Sequence, residues 1–261
     1  MQKDFYLNDR ALCGYLEKDW FDHILASNAR KPVFEFAPFD PDLLYSNYHE
    51  RLIAFLAAAL KKEGAAPRRL LEVGSSLGRT FFETCCRIPS VEAATLIEPS
   101  QNLHALFKKL FASDGVPTVS ILKGNLETDE VLLDTQPIRG PCAGVEITSL
   151  NLPFQKIASD LGQFDLTICS NVIDQCADHM QLVDFLQRSV APGGTLLLTC
   201  TYQWNDKYIG NAPIKIKDIN QLFDARWKPI GETNLPFQVR VYERYWMSFL
   251  SHAVAYQLRE S

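Results

Sequence analysis

The 261-residue sequence lacks the patterns that mark membrane-spanning, secreted and nucleic-acid-binding proteins. Its longest apolar run, Leu52 to Leu60, has nine residues, whereas a membrane-spanning helix needs about 20. The N-terminus does not show the basic and then apolar segments of a signal peptide. No basic run is present and the formal net charge is −5, which disfavours a nucleic-acid surface. The sequence predicts a cytoplasmic protein that binds neither a membrane nor nucleic acid.

Metal-binding and disulfide patterns are also missing. The seven cysteines are an odd number, and no two of them form a C-x-x-C pair. We interpret them as reduced core residues rather than as a zinc or disulfide framework. The five histidines show no ligand spacing, so we expect no metal site.

What the sequence does contain is a strand, turn and helix signal in residues 70–86. An apolar run ends in Glu72, and Gly74 and Gly78 follow before a helix-like segment begins at Arg79. Glycine permits a sharp turn after the strand and a close approach of a ligand to the loop. This pattern predicts the opening of a βαβ unit, and parallel sheets bind nucleotides at the carboxyl ends of such strands.

The glycine spacing favours one class of nucleotide over another. A dinucleotide fingerprint reads G-x-G-x-x-G, whereas this loop reads G-x-x-x-G, with Ser76 at the middle position. The loop resembles motif I of class I S-adenosylmethionine (SAM) methyltransferases. Glu98 ends the next apolar segment, where a carboxylate can accept both ribose hydroxyls. The alternative is a structural glycine turn followed by an acid that caps a helix.

This resemblance implies SAM as the cofactor and a set of residues that contact it. The predicted cofactor-binding residues are Glu72, Gly74, Ser75, Gly78, Glu98, Pro99, Thr148, Ser149, Ser170 and Asn171.

The rest of the chain alternates strands and helices. We predict a doubly wound, Rossmann-like α/β fold of the class I methyltransferase type. Its sheet is mostly parallel and ends in a C-terminal antiparallel hairpin within residues 227–257. The other strand predictions are residues 94–98, 119–122, 142–148, 164–171 and 195–200, the last after a Pro-Gly-Gly turn; residues 127–144 are predicted to be loop. Residues 67–261 would form the methyltransferase domain.

Residues 1–66 are predicted to form a helical cap. Apolar spacing indicates helices over residues 11–25 and 45–62, the second closed by Gly64. Because methyltransferases of this class often carry such helices over the acceptor pocket, Tyr45 and Tyr48 are candidate substrate contacts. The alternative is that they pack the helix against the edge of the sheet.

Several segments together resemble a narrower family, the 4-mercaptohistidine N1-methyltransferase domain of ovothiol-synthesising enzymes. The family's first loop reads like D-V-G-x-x-x-G-R-S-x-F-E, and residues 72–83 follow it with Glu72 in place of the aspartate. The other matching segments are residues 164–174 (F-D-L…N-x-x-D), residues 201–210 at the exit of strand 5, and residues 235–244 (P-F-x-x-R-x-x-x-R). The resemblance implies N-methylation of an imidazole.

Roles for individual residues follow from that resemblance. Asp174 or Tyr202, as catalytic residues, would hold the ring N–H, and Trp204 would form a wall of the substrate pocket. Arg240 and Arg244 would bind an amino-acid carboxylate. The alternatives are a helix N-cap for Asp174 and surface salt bridges for the arginines.

Three functions remain open at this point. The first is N-methylation of a histidine-like small molecule, and the second is methylation of an unrelated small metabolite at O, N or S. The third is a non-catalytic protein with a SAM-binding fold that regulates a partner. The sequence indicates neither the acceptor nor the oligomeric state.

Overall fold

The computed structural model describes residues 9–27, 47–112, 116–123, 127–157, 161–204, 216–242 and 245–260. The α-helices are α1 (Asp9–Ser27), α2 (Tyr48–Glu63), α3 (Arg79–Arg87), α4 (Gln101–Ala112), α5 (Gln136–Arg139) and α6 (His179–Ser189). The strands are β1 (Arg69–Val73), β2 (Ala93–Ile97), β3 (Thr118–Lys123), β4 (Glu127–Leu132), β5 (Glu146–Leu150), β6 (Phe164–Ser170), β7 (Val190–Cys200), β8 (Trp227–Tyr242) and β9 (Tyr245–Leu258).

Seven strands form one sheet in the order β5-β2-β1-β6-β7-β9-β8. The first five run parallel, β9 lies antiparallel to β7, and β8 pairs antiparallel with β9. Since β1 lies at the centre, with β2 on one side and β6 on the other, the strand order reverses beside it. The predicted fold class is confirmed, including the C-terminal antiparallel hairpin. In such sheets the crevice for ligands lies at the carboxyl ends of the central strands.

Helices cover both faces of the sheet. Helices α1 to α4 contribute to one apolar cluster, whose members include Trp20, Leu52, Phe81 and Phe107. Helix α6 packs on the opposite face with Leu182 and Leu186. Strands buried on both faces read as continuous apolar runs, which is why β1, β6 and β7 were recognisable in the sequence.

The middle of the chain differs from the prediction. Residues 127–144 were expected to be loop, but β4 and α5 lie there. Among the residues that the structure describes, β3 pairs with β4 alone, in a separate two-stranded ribbon. The third strand of the central sheet is β5, which begins at Glu146 rather than at Cys142, and the Pro-Gly-Gly segment lies inside β7 instead of preceding it. The sequence of β4 does not show the alternation of a strand, because Val131 is its one half-buried residue and the other five are exposed.

A long hairpin and the ribbon hold α1 in place. The distal part of β8, from Leu235 onward, pairs with the part of β9 that precedes its pairing with β7. Arg240 on this part of β8 forms a buried bidentate ion pair with Glu17 on α1, with N···O distances of 2.6 and 2.7 Å. Arg240 also donates to the carbonyl of Leu122 on β3, and the Leu122 N–H donates to Glu17. One ion pair therefore joins α1, β3 and β8.

Two further observations concern the helices and the cysteines. None of the helices in the described residues has the length and apolarity needed to cross a membrane. All seven cysteines carry free thiols, and five of them are buried.

Candidate functional site

The loop between β1 and α3 lies at the carboxyl edge of the sheet. Three of its residues have left-handed backbones, Gly74 (φ 77°), Ser76 (φ 50°) and Gly78 (φ 80°). The N–H groups of Gly74 and Ser75 both donate to the carbonyl of Ile97 at the end of β2, at 2.8 and 3.1 Å. The loop is therefore a tight, pre-formed turn attached to the neighbouring strand.

Glu98 follows β2 and is hydrogen-bonded to this loop. One carboxylate oxygen accepts the N–H of Ser76 at 2.9 Å, and the other accepts the N–H of Ser100 at 2.8 Å. On the other side, the amide of Asn151 donates to the Glu98 carbonyl at 2.8 Å. The structure thus brings Glu98 to the glycine loop. It adds Asn151, whose signal in the sequence is its place as the first polar residue after β5.

Glu72, the last acidic residue before the glycines, is 1 % exposed. Its Oε2 atom is buried and has no hydrogen-bond partner. Burial raises the pKa of Glu72 well above its usual range, and the negative charges of Asp19 and Glu98 raise it further. The carboxyl groups of Asp19 and Glu98 thus both repel that of Glu72, and a cationic ligand beside the loop would relieve this repulsion.

Helix α1 lies directly on the loop, a contact that the sequence analysis missed. The indole N–H of Trp20 donates to the carbonyl of Leu77 at 3.2 Å, and α1 is kinked at this residue. Arg79, the first residue of α3, donates to the Asp19 carbonyl and forms a bidentate ion pair with Asp22. Because these contacts join residues about 60 positions apart, no local pattern could have indicated them.

A chain of polar side chains continues from Asp19. The Nε2 atom of His49 lies 2.9 Å from Oδ1 of Asp19, and its Nδ1 atom lies 2.8 Å from the Thr80 hydroxyl. Lys18 forms an ion pair with Asp19 and lies 3.1 Å from Nε2 of His49. Although burial opposes it, Lys18 and His49 hold the pKa of Asp19 below its usual range. Burial, together with the charge of Lys18, lowers the pKa of His49 to about 4.

A second polar cluster joins α2 to strands β6, β7 and β9. The Tyr48 hydroxyl lies 3.0 Å from the hydroxyls of Ser170 and Thr199 and 3.2 Å from that of Ser251. The amide of Asn171 donates to the Tyr48 hydroxyl, and its carbonyl oxygen accepts from Ser251. The Tyr48 hydroxyl thus bonds to residues of β6, β7 and β9, and its role as a substrate contact stays a prediction. Ser170 and Asn171 turn their side chains into the same cluster.

The two predicted catalytic residues are both engaged within the protein. Asp174 is fully buried and accepts hydrogen bonds from the hydroxyl and the N–H of Thr201, at 2.5 and 3.2 Å. It joins the exits of β6 and β7, and the helix N-cap is Asp178 instead. The Tyr202 hydroxyl accepts from the Ile219 N–H at 3.1 Å and lies 2.6 Å from Nδ1 of His252. Burial raises the pKa of Tyr202 to about 12.

The other residues predicted to contact the substrate or the cofactor have the following surroundings. Arg240 is occupied by Glu17, so it is not free to bind a substrate carboxylate, and its ion pair is buried rather than on the surface. The Trp204 indole donates to the Ile216 carbonyl, and its ring packs near His179. Pro99 is exposed between β2 and α4. Tyr45 and Arg244 lie outside the described residues.

Two predicted cofactor contacts, Thr148 and Ser149, lie on β5, the edge strand of the sheet. Thr148 lines a cavity of about 230 Å³ together with Arg69, the first residue of β1, and Phe164, the first residue of β6. The same cavity is lined by Ala93 and Glu146, the first residues of β2 and β5. Ser149 lies 3.3 Å from the ring of His104 on α4.

A larger cavity of about 340 Å³ lies between α1 and α2. Its lining residues are Lys18, Asp19, Phe21, Asp22, Leu25, Asn47, Tyr48, His49, Glu50 and Arg79. The volume suits a small metabolite. Asp19 connects the cavity to the loop, because its Oδ2 atom lies 3.4 Å from the Ser76 hydroxyl. In the described part of the chain, no three His, Cys, Asp or Glu side chains are placed to hold a metal ion.

His49 gives the protein a specific pH dependence. Its pKa is about 4 when folded and about 6.5 when unfolded. The unfolded chain therefore binds more protons between these values, and stability falls as the pH drops through this range. We expect His49 to account for a loss on the order of 3 kcal/mol between pH 7 and pH 4. Urea unfolding at several pH values should show a shallower dependence for His49→Gln, and parallel curves for the two proteins would contradict the assignment.

Comparison with known proteins adds evidence at the level of the fold. No protein-family model matches the sequence, and no curated protein matches it. Among solved structures, the N-methyltransferase NodS from Bradyrhizobium japonicum WM9 is similar over 81% of this chain and 96% of its own, with 12% identity and a TM-score of 0.51. The plantazolicin methyltransferase BpumL, solved in complex with S-adenosylhomocysteine (SAH), is similar over 99% of both chains, with 11% identity and a TM-score of 0.51.

The fold is that of the class I methyltransferases. Within it, the glycine loop and Glu98 stand at the carboxyl ends of β1 and β2, as the sequence predicted.

Proposed function

We propose that this protein is a SAM-dependent methyltransferase that acts on a small polar molecule. The observation that carries the proposal is the hydrogen-bonded junction of the glycine loop with Glu98, at the point where the strand order reverses. That position is the ligand crevice of an open α/β sheet. The similar structure of BpumL was solved with SAH, which supports SAM as the cofactor.

The residues beside the loop fit a ligand with a positive charge. Asp19 and Glu98 both act electrostatically on Glu72, and Oε2 of Glu72 is buried without a hydrogen-bond partner. SAM supplies a methyl group on a sulfonium ion, an already activated leaving group. The main tasks of the chain are then to bind it and to align an acceptor, and well-aligned reactants gain up to about 7–11 kcal/mol. In this proposal α1 and α2 form the cap over the domain of residues 67–261.

The acceptor is proposed only as a small polar molecule. An imidazole acceptor rests on the resemblance to mercaptohistidine methyltransferases, and one of the arginines assigned to its carboxylate is paired with Glu17. The cavity between α1 and α2 adjoins the loop, which supports the N-terminal helices as the acceptor side. A panel of amines, imidazoles, thiols and hydroxy acids with labelled SAM would identify the class.

Glu98→Ala tests the cofactor assignment. We expect calorimetry to show SAM binding by the wild type and an affinity lowered by roughly 10- to 150-fold in the variant, equivalent to about 1.5–3 kcal/mol. The reason is the loss of a charged acceptor, which also releases the Ser76 N–H from its fixed position.

The matched control is Glu92→Ala. Glu92 lies at the opposite end of β2, exposed and paired with Arg68, and its removal should leave SAM affinity unchanged. Equal affinity in Glu98→Ala would remove Glu98 from the site. Preference for NAD over SAM in the wild type would refute the methyltransferase proposal.

A further inference from the structure

The N-terminal helices contact the two turns that border the predicted cofactor crevice. The strand order reverses between β1 and β6, which pair in parallel. The turn after β1 is the glycine loop, and the turn after β6 begins at Asn171. Helix α1 bonds to the first turn through Trp20, and α2 bonds to the second through Tyr48. Each helix thus supports one side of the crevice.

Both turns contain a residue with a side chain in the left-handed backbone conformation. These residues are Ser76 in the glycine loop, with φ at 50°, and Asn171, with φ at 54°. This conformation costs free energy in an L-amino acid, so it persists only where the surrounding structure holds it. The contacts that hold the two turns therefore determine how far the crevice is formed before a ligand arrives.

Trp20 holds the glycine loop from the side of α1. Its side chain is fully buried, and its indole N–H donates to the Leu77 carbonyl at 3.2 Å. Leu77 lies between two left-handed residues, Ser76 and Gly78, so this bond fixes the orientation of a peptide group inside the turn. Helix α1 is kinked at the same residue, where φ is −131° and ψ is 19°. The one polar atom of this buried side chain is thus used to orient the loop.

Tyr48 holds Asn171 from the side of α2. The side-chain amide of Asn171 donates to the Tyr48 hydroxyl at 3.1 Å. The side-chain carbonyl of Asn171 accepts from Thr199 at 2.9 Å and from Ser251 at 2.6 Å, and the backbone N–H of Asn171 donates to Thr199. Tyr48 is 3 % exposed, so water has little access to the groups that its hydroxyl serves.

We propose that Trp20 and Tyr48 are positioning residues of the cofactor site, which hold the glycine loop and Asn171 in the conformation that binds SAM. This inference rests on the proposed function. Without either hydrogen bond, the turn that it holds populates other conformations, and SAM binds only the fraction of molecules that retains the right one. The apparent affinity falls in proportion to that fraction. The helices of the cap are then part of the cofactor site as well as a boundary of the cavity between them.

Tyr48→Phe tests the turn after β6, because it removes the hydroxyl alone. We expect calorimetry to show an affinity for SAH that is lowered roughly 3- to 10-fold. The matched control is Tyr256→Phe. Tyr256 is also buried, and its hydroxyl donates to Asn220 at 2.7 Å, but it lies in the apolar cluster of α6. This control should lose stability to urea and keep the wild-type affinity for SAH.

Replacement of Trp20 by 3-benzothienylalanine tests the glycine loop. This amino acid has the shape of tryptophan but carries sulfur in place of the indole N–H, so the packing of the ring is kept. We expect the affinity for SAH to fall roughly 2- to 10-fold. The same replacement at Trp227, which belongs to the apolar cluster of α6, should leave the affinity unchanged.

Amide hydrogen exchange separates positioning from a purely structural role. In the wild type, SAH should slow exchange in residues 74–80 and 171–176. Because linkage is reciprocal, it should also slow exchange in α1 around Trp20 and in the first turns of α2. In Tyr48→Phe without ligand, we expect the turn after β6 to exchange faster than in the wild type, and excess SAH should restore the wild-type rate.

The possible results distinguish this inference from the proposed function. Wild-type affinity for SAH in the Tyr48 or the Trp20 variant would remove that residue from the role, and an equal loss in Tyr256→Phe would show a general effect of lowered stability. Protection of the two turns without protection of α1 and α2 would also overturn the inference. If the wild type binds neither SAM nor SAH, the proposed function itself is refuted. The exchange measurement on the wild type stands even where a variant fails to fold.

Discussion

Replacement of Arg240 by alanine is expected to lower the free energy of unfolding by about 3–5 kcal/mol, because it leaves Glu17 buried without its partner. Glu17 and Arg240 are 1 % and 3 % exposed, and both oxygens of Glu17 are bonded to the guanidinium. Burial raises the pKa of Glu17, although Arg240 acts against this. The variant will therefore bind a proton at Glu17, and the cost will be smaller at low pH. Urea unfolding monitored by circular dichroism measures both effects.

The control for this variant is Arg226→Ala. Arg226 also forms an ion pair with a carboxylate, that of Asp224, but both side chains are more than half exposed. Such pairs contribute about 0–1 kcal/mol, so this variant should unfold almost as the wild type does. If Arg240→Ala is as stable as Arg226→Ala and instead binds the acceptor more weakly, Arg240 contacts the substrate.

Replacement of Gly74 by alanine is expected to cost about 2–4 kcal/mol of stability and to lower SAM affinity at least tenfold. The left-handed backbone at Gly74 disfavours any side chain, and a Cβ atom there would overlap Cγ2 of Val172 at the exit of β6. We expect relief of that overlap to displace the loop, whose N–H groups bond to Ile97 and Glu98. Thermal unfolding and calorimetry with SAM measure the two effects separately.

Gly64→Ala provides the matched control for Gly74→Ala. Gly64 has nearly the same backbone, with φ at 68°, but a Cβ atom there would meet nothing within 4 Å. Its replacement should cost about 1 kcal/mol, the backbone term alone, and leave SAM affinity intact. The double variant Gly74→Ala/Val172→Ala should recover the overlap part of the loss. A Gly74→Ala protein as stable as Gly64→Ala would show that Val172 moves away without cost.

Part of the site could be predicted because some of its features depend on residues that are close together in the sequence. Gly74 and Gly78 were assigned from their spacing, and both have the left-handed backbone that such a turn requires. Glu98 was assigned from its place after an apolar strand, and it is bonded to the loop. By contrast, Thr148 was predicted to end its strand, whereas it is the middle residue of β5, because the polar sequence of this edge strand marks its two ends weakly.

The residues that follow β6 and β7 show what sequence position alone does not predict. Asp174 and Tyr202 were placed near the carboxyl edge of the sheet by their position after these strands. Their side chains, however, are hydrogen-bonded to residues of other segments. Asp174 bonds to Thr201, and Tyr202 bonds to His252 and Ile219. Position after a strand indicates where a residue lies, but it does not indicate what the side chain bonds to.

Strands, turns and helices depend on the order of apolar and polar residues over a few positions, so the sequence alone determined the α/β class, the glycine loop and the acid that meets it. Tertiary structure decided which distant groups meet. Glu17 pairs with Arg240 across 223 positions, and His49 lies between Asp19 on α1 and Thr80 on α3. The physical reason is that a buried charge or ring nitrogen needs a partner, while any of many residues in the chain could supply one. Which residue becomes the partner is decided only when α1 and α2 pack against the sheet and its long hairpin.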